Sequence, residues 1–157
     1  MAPGALPAGD IAIDASFLIA VLDGDALATR FAGVLGRSVV VATGLAETCY
    51  RLDQRAGIAA ATTVAMVGTL GVQIDMFDEQ HAETVSMLKT VSAASKAAQV
   101  SAGVTHPKTL SFGDLCVLAH ATVASLPVLT GDKHWLTLGV HGLTVDVYDF
   151  RDPNLTT

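Results

Sequence analysis

The chain is poor in cysteine, in aromatic residues and in charge. Of its 157 residues, two are cysteine, one is tryptophan and two are tyrosine. Cys49 and Cys116 lie far apart, with no CxxC pair and no histidine at zinc-finger spacing. That pattern excludes a disulfide framework and a structural zinc site, and it predicts reduced, core-packed thiols in a cytoplasmic protein. Charged residues make up only 15% of the chain, and nine Lys and Arg against fifteen Asp and Glu leave a net charge of -6. A broad basic face for sequence-independent phosphate binding is therefore excluded, although a nucleic-acid substrate is not. A secretory signal is also missing, because MAPGALPAGD has no basic cluster leading into an apolar core. Residues 1–9 are expected to form a loose arm and residues 151–157 a tail. The longest uncharged stretch, Ala56 to Ile74, is broken by Gly57, Gly68 and Gly71 and carries Thr62, Thr63, Thr69 and Gln73. No membrane span is expected from it.

What is present is apolar. Hydrophobic residues are 51% of the chain and mean hydropathy is +0.51, which excludes disorder and leaves enough material for one large core over residues 1–157. Four short runs, IAIDA at 11–15, SVVVA at 38–42, VQIDMF at 72–77 and PVLT at 127–130, are too continuously apolar for half-exposed strands. They suit a central, mostly parallel sheet with helices on both faces. LTVDVYD alternates, as an edge strand would. Helical patterns fill the intervals, with Ser16, Thr43, Asp78 and the Ser111/Asp114 box as N-terminal caps. This is a single α/β domain. The segment from Ser92 to Thr109, with Gly103 and Pro107, reads as a frayed helix end and a loop.

In such a sheet, ligands gather at the carboxyl ends of the strands. Four acids are expected there. Asp14 ends the first run, Glu47 lies one turn into the helix leaving the second, Asp114 opens the helix running back to PVLT, and Asp132 follows that run. Each has a bland alternative: Asp114 as half of a capping box, Glu47 as a surface pair with Arg51, Asp132 as turn chemistry. Asp14 is the hardest to dismiss, since a carboxylate ending a buried strand is costly unless paired or bound to metal. Four carboxylates together push one another's pKa upward, and a hard cation such as Mg²⁺ or Mn²⁺ relieves this.

These residues, in this order, resemble the PIN-domain ribonucleases, and among them the VapC-type toxins of bacterial toxin–antitoxin pairs. The motifs are IAIDAS with Asp14 and Ser16, VVVATGLAE with Glu47, LSFGDLCVLAHA with Asp114, and VLTGDKHW with Thr130 and Asp132. The resemblance runs from about residue 10 to about residue 150. It implies that Asp14, Glu47, Asp114 and Asp132 are catalytic and bind one or two Mg²⁺ or Mn²⁺ ions, with Ser16 and Thr130 in support. The implied reaction is hydrolysis of RNA by a metal-activated water, leaving a 5′-phosphate and a 3′-hydroxyl. Arg51, Lys133 and His134 are the residues expected to meet the substrate, and Ala93 to Thr109 is either an insertion shaping access or a spacer. The implied partners are RNA, a VapB-type antitoxin and a second copy of the chain. Because the helix pattern at Ile58–Leu70 has no charged face, the homodimer is expected to bury Met66 or Val67.

Two other readings compete. A receiver-like Mg²⁺-binding phospho-acceptor domain needs an acidic pair near the first strand and an Asp ending the third, a pattern missing here. A catalytically silent PIN-like binding module would not need all four acids. A haloacid-type phosphatase needs DxD, and Ser16 stands at the second position after Asp14. Trp135 is expected to cover the core edge, and His120 to be a structural helix residue.

Overall fold

A computed structural model describes residues 4–157. The four apolar runs and the last alternating run each form a strand: β1 Ile11–Ile13, β2 Ser38–Val41, β3 Gln73–Asp75, β4 Val128–Thr130 and β5 Val147–Asp149. They lie in the order β3-β2-β1-β4-β5, and every pairing is parallel. Strand β1 is central and wholly buried. Its residues alternate between two cores, as a period of two requires. Ile11 and Ile13 pack with Phe17 and Leu18 of α1 (Ala15–Leu22), Cys49 of α3 (Ala42–Ala56) and Val67 of α4 (Ala60–Thr69). Ala12 packs on the other face with Leu88 and Val91 of α5 (Glu79–Ser101) and Val117 and Leu118 of α6 (Phe112–Ala124). A short helix α2 (Ala26–Thr29) and a 3-10 segment, Ala32–Arg37, connect α1 to β2. A second 3-10 segment, Trp135–His141, follows β4.

Several local expectations change. Asp14, not Ser16, is the N-cap of α1. Thr43 lies within α3, whose N-cap, Val41, makes no side-chain bond. Asp78 and Ser111 do cap α5 and α6, each through a capping box. Helix α3 stops at Gly57, whose φ of +65° is the left-handed conformation a side chain disfavours. The segment expected to fray at Ser92 stays helical to Ser101. Its Ala-rich sequence favours helix, and Ser92 and Ser95 face inward rather than loosening it. Strand β3 is an edge, with Gln73 and Ile74 exposed, so double-sided burial holds only for the inner strands. Of the expected arm, residues 1–3 lie outside the described residues. Ala5 bridges to Thr156, and Leu6 and Leu155 are buried. Among the described residues no helix is long and apolar enough to cross a membrane.

Candidate active site

Strand β1 ends against the start of α1, so the Asp14 carboxylate sits where the α1 backbone N–H groups are free. Oδ1 accepts from Phe17 N at 3.0 Å and from Ser16 Oγ at 2.8 Å. Oδ2 accepts from Thr130 Oγ1 at 2.8 Å, across to β4. The two hydroxyls also hold the turn after β4: Ser16 Oγ accepts from Gly131 N at 2.9 Å and Thr130 Oγ1 from Asp132 N at 3.0 Å. Asp14 is 7% exposed. Burial pushes its carboxyl up to about 6, against the three hydrogen bonds that pull it down, and the Asp114 charge adds to the rise.

The other three acids reach the same cleft from α3, α6 and the turn after β4. The cleft has a volume of about 180 Å³ and is lined by Asp14, Glu47, Asp114, Asp132, Gly113 and Trp135, among others. Asp114 is the electrostatic hub. Its carboxyl is raised chiefly by burial, then by the charges of Glu47 and Asp132, while Ser111 pulls it down. Each acid is held by its own donors. Asp114 Oδ2 accepts from Ser111 N at 2.7 Å, Glu47 pairs with Arg51 at 2.7 Å, and Asp132 Oδ1 accepts from His134 N at 2.9 Å. For Asp114, Glu47 and Asp132 the bland contacts are thus also present: the capping box, the pair with Arg51 and the turn bond to His134 N. Among the described residues no three His, Cys, Asp or Glu side chains stand arranged as a ready-made metal cage. The donor set nevertheless suits a hard divalent ion: it is all carboxylate oxygen, and the raised carboxyl of Asp14 lacks a counter-charge.

Of the residues expected at the substrate, Arg51 and Lys133 are exposed. His134 is not: it is buried, and its Nε2 lies 3.0 Å from Ser95 Oγ. The turn between Asp132 and the 3-10 segment sends consecutive side chains to opposite sides, so Lys133 faces solvent and His134 faces α5. Burial lowers the His134 pKa, against the charges of Asp132 and Asp114 that raise it. Trp135 is 1% exposed, a core residue on the inner wall of the cleft. His120 is likewise buried, stacked on His81. Ser16 and Arg51 also line a larger groove of about 690 Å³ that carries Arg55 and Arg151 together with Asp23 and Asp25, and Arg55 pairs there with Asp23.

Two residues escaped the sequence reading. A Cβ on Gly113 would stand 2.7 Å from Glu47 Oε2, so the glycine leaves room for the Glu47 carboxylate. A glycine in the first turn of a helix was the available signal. Lys108 places Nζ 3.4 Å from Asp132 Oδ1, and no local pattern marks it.

A family model described as PIN domain matches residues 11–139. No curated protein matches significantly. Among solved structures, the chain is similar to a DNA-bound VapBC from Salmonella typhimurium, with 16% identity, 90% of this chain and 98% of that one covered, and TM-score 0.60. It is similar to VapC20 of Mycobacterium tuberculosis, a sarcin-ricin loop cleaving toxin, with 19% identity, coverage of 86% and 97%, and TM-score 0.58. A third, VapBC2 from Rickettsia felis bound to promoter DNA, shows 10% identity, coverage of 88% and 97%, and TM-score 0.60. At these identities the likeness is one of fold.

Proposed function

This chain belongs to the PIN domain family, and on that premise we propose that it is a metal-dependent endoribonuclease acting as the toxin of a toxin–antitoxin pair. The observation that carries the reading is the buried Asp14, raised to about 6, in one cleft with Glu47, Asp114 and Asp132. These four would hold one or two Mg²⁺ or Mn²⁺ ions. Bound there, the metal supplies charge neutralisation at the phosphodiester and lowers the pKa of a water nucleophile.

The chain's own residues do the rest. Ser16 and Thr130 fix both oxygens of Asp14 and the turn carrying Asp132, so the two carboxylates keep one relative orientation. Trp135 and Val117 close the inner wall and exclude bulk water on that side. Arg51 and Lys133 offer charge to an RNA backbone, and the groove with Arg55 and Arg151 continues from the cleft. The receiver reading loses ground on topology: this sheet runs β3-β2-β1-β4-β5, whereas receivers run 2-1-3-4-5.

The partners follow from the same premise. The Salmonella and Rickettsia relatives are VapBC complexes, and a VapB-type antitoxin is the proposed inhibitor in the cytoplasm. The proposed homodimer cannot use Val67, which is 0% exposed inside the protomer. Met66, half-buried on the same helix, stays available to it, and Val64 of α4 with Ile74 and Met76 at the β3 edge are among the exposed apolar residues. Incubation of the purified chain with RNA tests the activity: cleavage in Mg²⁺ or Mn²⁺ that leaves 5′-phosphates and stops in EDTA is expected. Cleavage that persists in excess chelator, or no cleavage with either metal, overturns it.

A further inference from the structure

The loop between α5 and α6 has no regular structure, yet it is pinned at two points. Leu110 is buried and its N–H donates to Ser92 Oγ at 3.1 Å. At Lys108 a single side chain takes both backbone groups: Lys108 N donates to Gln99 Oε1 at 2.8 Å, and Gln99 Nε2 donates to Lys108 O at 3.1 Å. Gln99 Nε2 also lies 3.3 Å from His134 Nε2, and the His134 N–H is bonded to Asp132. The last turns of α5, the loop and the turn after β4 are therefore one polar unit, built around the backbone of a residue whose own side chain is solvent-exposed.

That side chain points its charge at the site. Lys108 Nζ lies 3.4 Å from Asp132 Oδ1, the only ion pair Lys108 makes among the described residues. An exposed pair of this kind adds little to stability, so the ammonium gives up Asp132 at little cost while the Gln99 clamp keeps its backbone in place. A nonbridging phosphate oxygen offers the ammonium the same acceptor chemistry as the Asp132 carboxylate. The lysine can exchange one for the other without moving the loop, so the ordering cost is already met before substrate arrives. The site needs such a group, because its four carboxylates face a polyanion.

We propose that Lys108 is a substrate-binding residue of this site, delivered by the α5–α6 loop and set by Gln99, which turns from Asp132 to a phosphate of the RNA strand beside the scissile bond. This rests on the nuclease reading above. It also assigns a role to the part of the Ala93–Thr109 segment that the helix leaves free.

The test compares wild type with Lys108→Ala, Lys108→Arg and Gln99→Ala on a single-stranded RNA oligonucleotide over a range of KCl concentrations. For Lys108→Ala, KM should rise by about tenfold with kcat within about twofold, as loss of one charge-assisted contact predicts. The slope of log kcat/KM against log salt should become shallower by about 0.7. Lys108→Arg should restore most of the KM, and Gln99→Ala should shift it in the same direction by less; melting temperatures of the Lys108 variants should be unchanged, and that of Gln99→Ala should fall with the loss of its hydrogen bonds. If wild type cleaves but Lys108→Ala keeps its KM and salt slope, the lysine assignment is wrong and the nuclease reading stands. Stronger cleavage by Lys108→Ala at low Mg²⁺ with unchanged KM would make the lysine a stand-in for a cation, which also overturns it. If wild type cleaves nothing, fluorescence anisotropy of the same labelled oligonucleotide still decides: equal affinity for wild type and Lys108→Ala rejects the contact, and weaker binding by the variant upholds it.

Discussion

Thr130 Oγ1 donates to Asp14 Oδ2 at 2.8 Å, and the same oxygen accepts the backbone N–H of Asp132 at 3.0 Å. One hydroxyl on β4 thereby couples the acid at the end of β1 to the acid two residues beyond itself. Replacing Thr130 by Val keeps the shape but removes both bonds. The part-buried Asp132 N–H then loses an acceptor, for a cost of about 1 kcal/mol or more, and cleavage should fall by roughly 10- to 100-fold, as when a supporting partner of a ligand is lost. Thr130→Ser should keep most activity. Urea melts and single-turnover cleavage on both variants check this, and a fully active Thr130→Val would break the proposed coupling.

Asp14→Asn should abolish cleavage while leaving the metal-free fold as stable or more so at neutral pH. The Asp14 carboxyl is raised from 3.8 to about 6, so the folded state holds this proton more tightly than the unfolded chain. Its contribution to stability is complete below pH 3.8 and is lost as pH rises through about 6, a change of about 3 kcal/mol by linkage. In EDTA, wild type should lose stability relative to Asp14→Asn across that window, and added Mg²⁺ should reverse the loss at pH 7.5. Parallel stability curves for the two proteins from pH 4 to 7.5 would show that Asp14 carries no such strain.

Gly113→Ala should separate stability from activity. The new Cβ would meet Glu47 Oε2 at 2.7 Å, and the flexible end of Glu47 can move aside. The fold should be unchanged or gain up to about 1 kcal/mol of helix preference, whereas cleavage should drop because the Glu47 carboxylate leaves the cleft. Thermal melts and cleavage rates measured together test the claim. Full activity in this variant would show that Glu47 is not needed where it stands.

The proposed homodimer is checked by two substitutions three residues apart on α4. Val67 is fully buried and Val64 is 42% exposed. Val67→Glu should unfold the protomer by burying an unpaired charge, at a cost of several kcal/mol. Val64→Glu should remain folded and shift the dimer to monomer in light scattering. A wild type that is already monomeric at micromolar concentration would remove the dimer.

The inner strands and the acids at their ends were legible in the residue order, because a strand buried on both faces needs an unbroken apolar run and a carboxylate ending one is conspicuous. The capping boxes at Asp78 and Ser111 were legible for a similar reason: their chemistry is complete within four residues. The inner face of helix α4 was not, since Ala, Thr and Val all round it leave no contrast from which to read it, and only packing on α3 and the core turned Val67 inward. The same holds for Lys133 and His134, adjacent residues that local chemistry treats alike and that the turn before Trp135 sends to solvent and to core. Residues 92–101 carried too little apolar signal to fix their partner, and it was contact of Ser92 and Ser95 with buried neighbours that settled them as helix. The approach of Lys108 to Asp132, 24 positions later, and of Gly113 to Glu47 has no sequence-local cause at all. Composition and spacing decided which residues end up at the carboxyl edge of the sheet. Which of them touch was decided by the crossing of separate elements, whose geometry depends on every side chain packed between them.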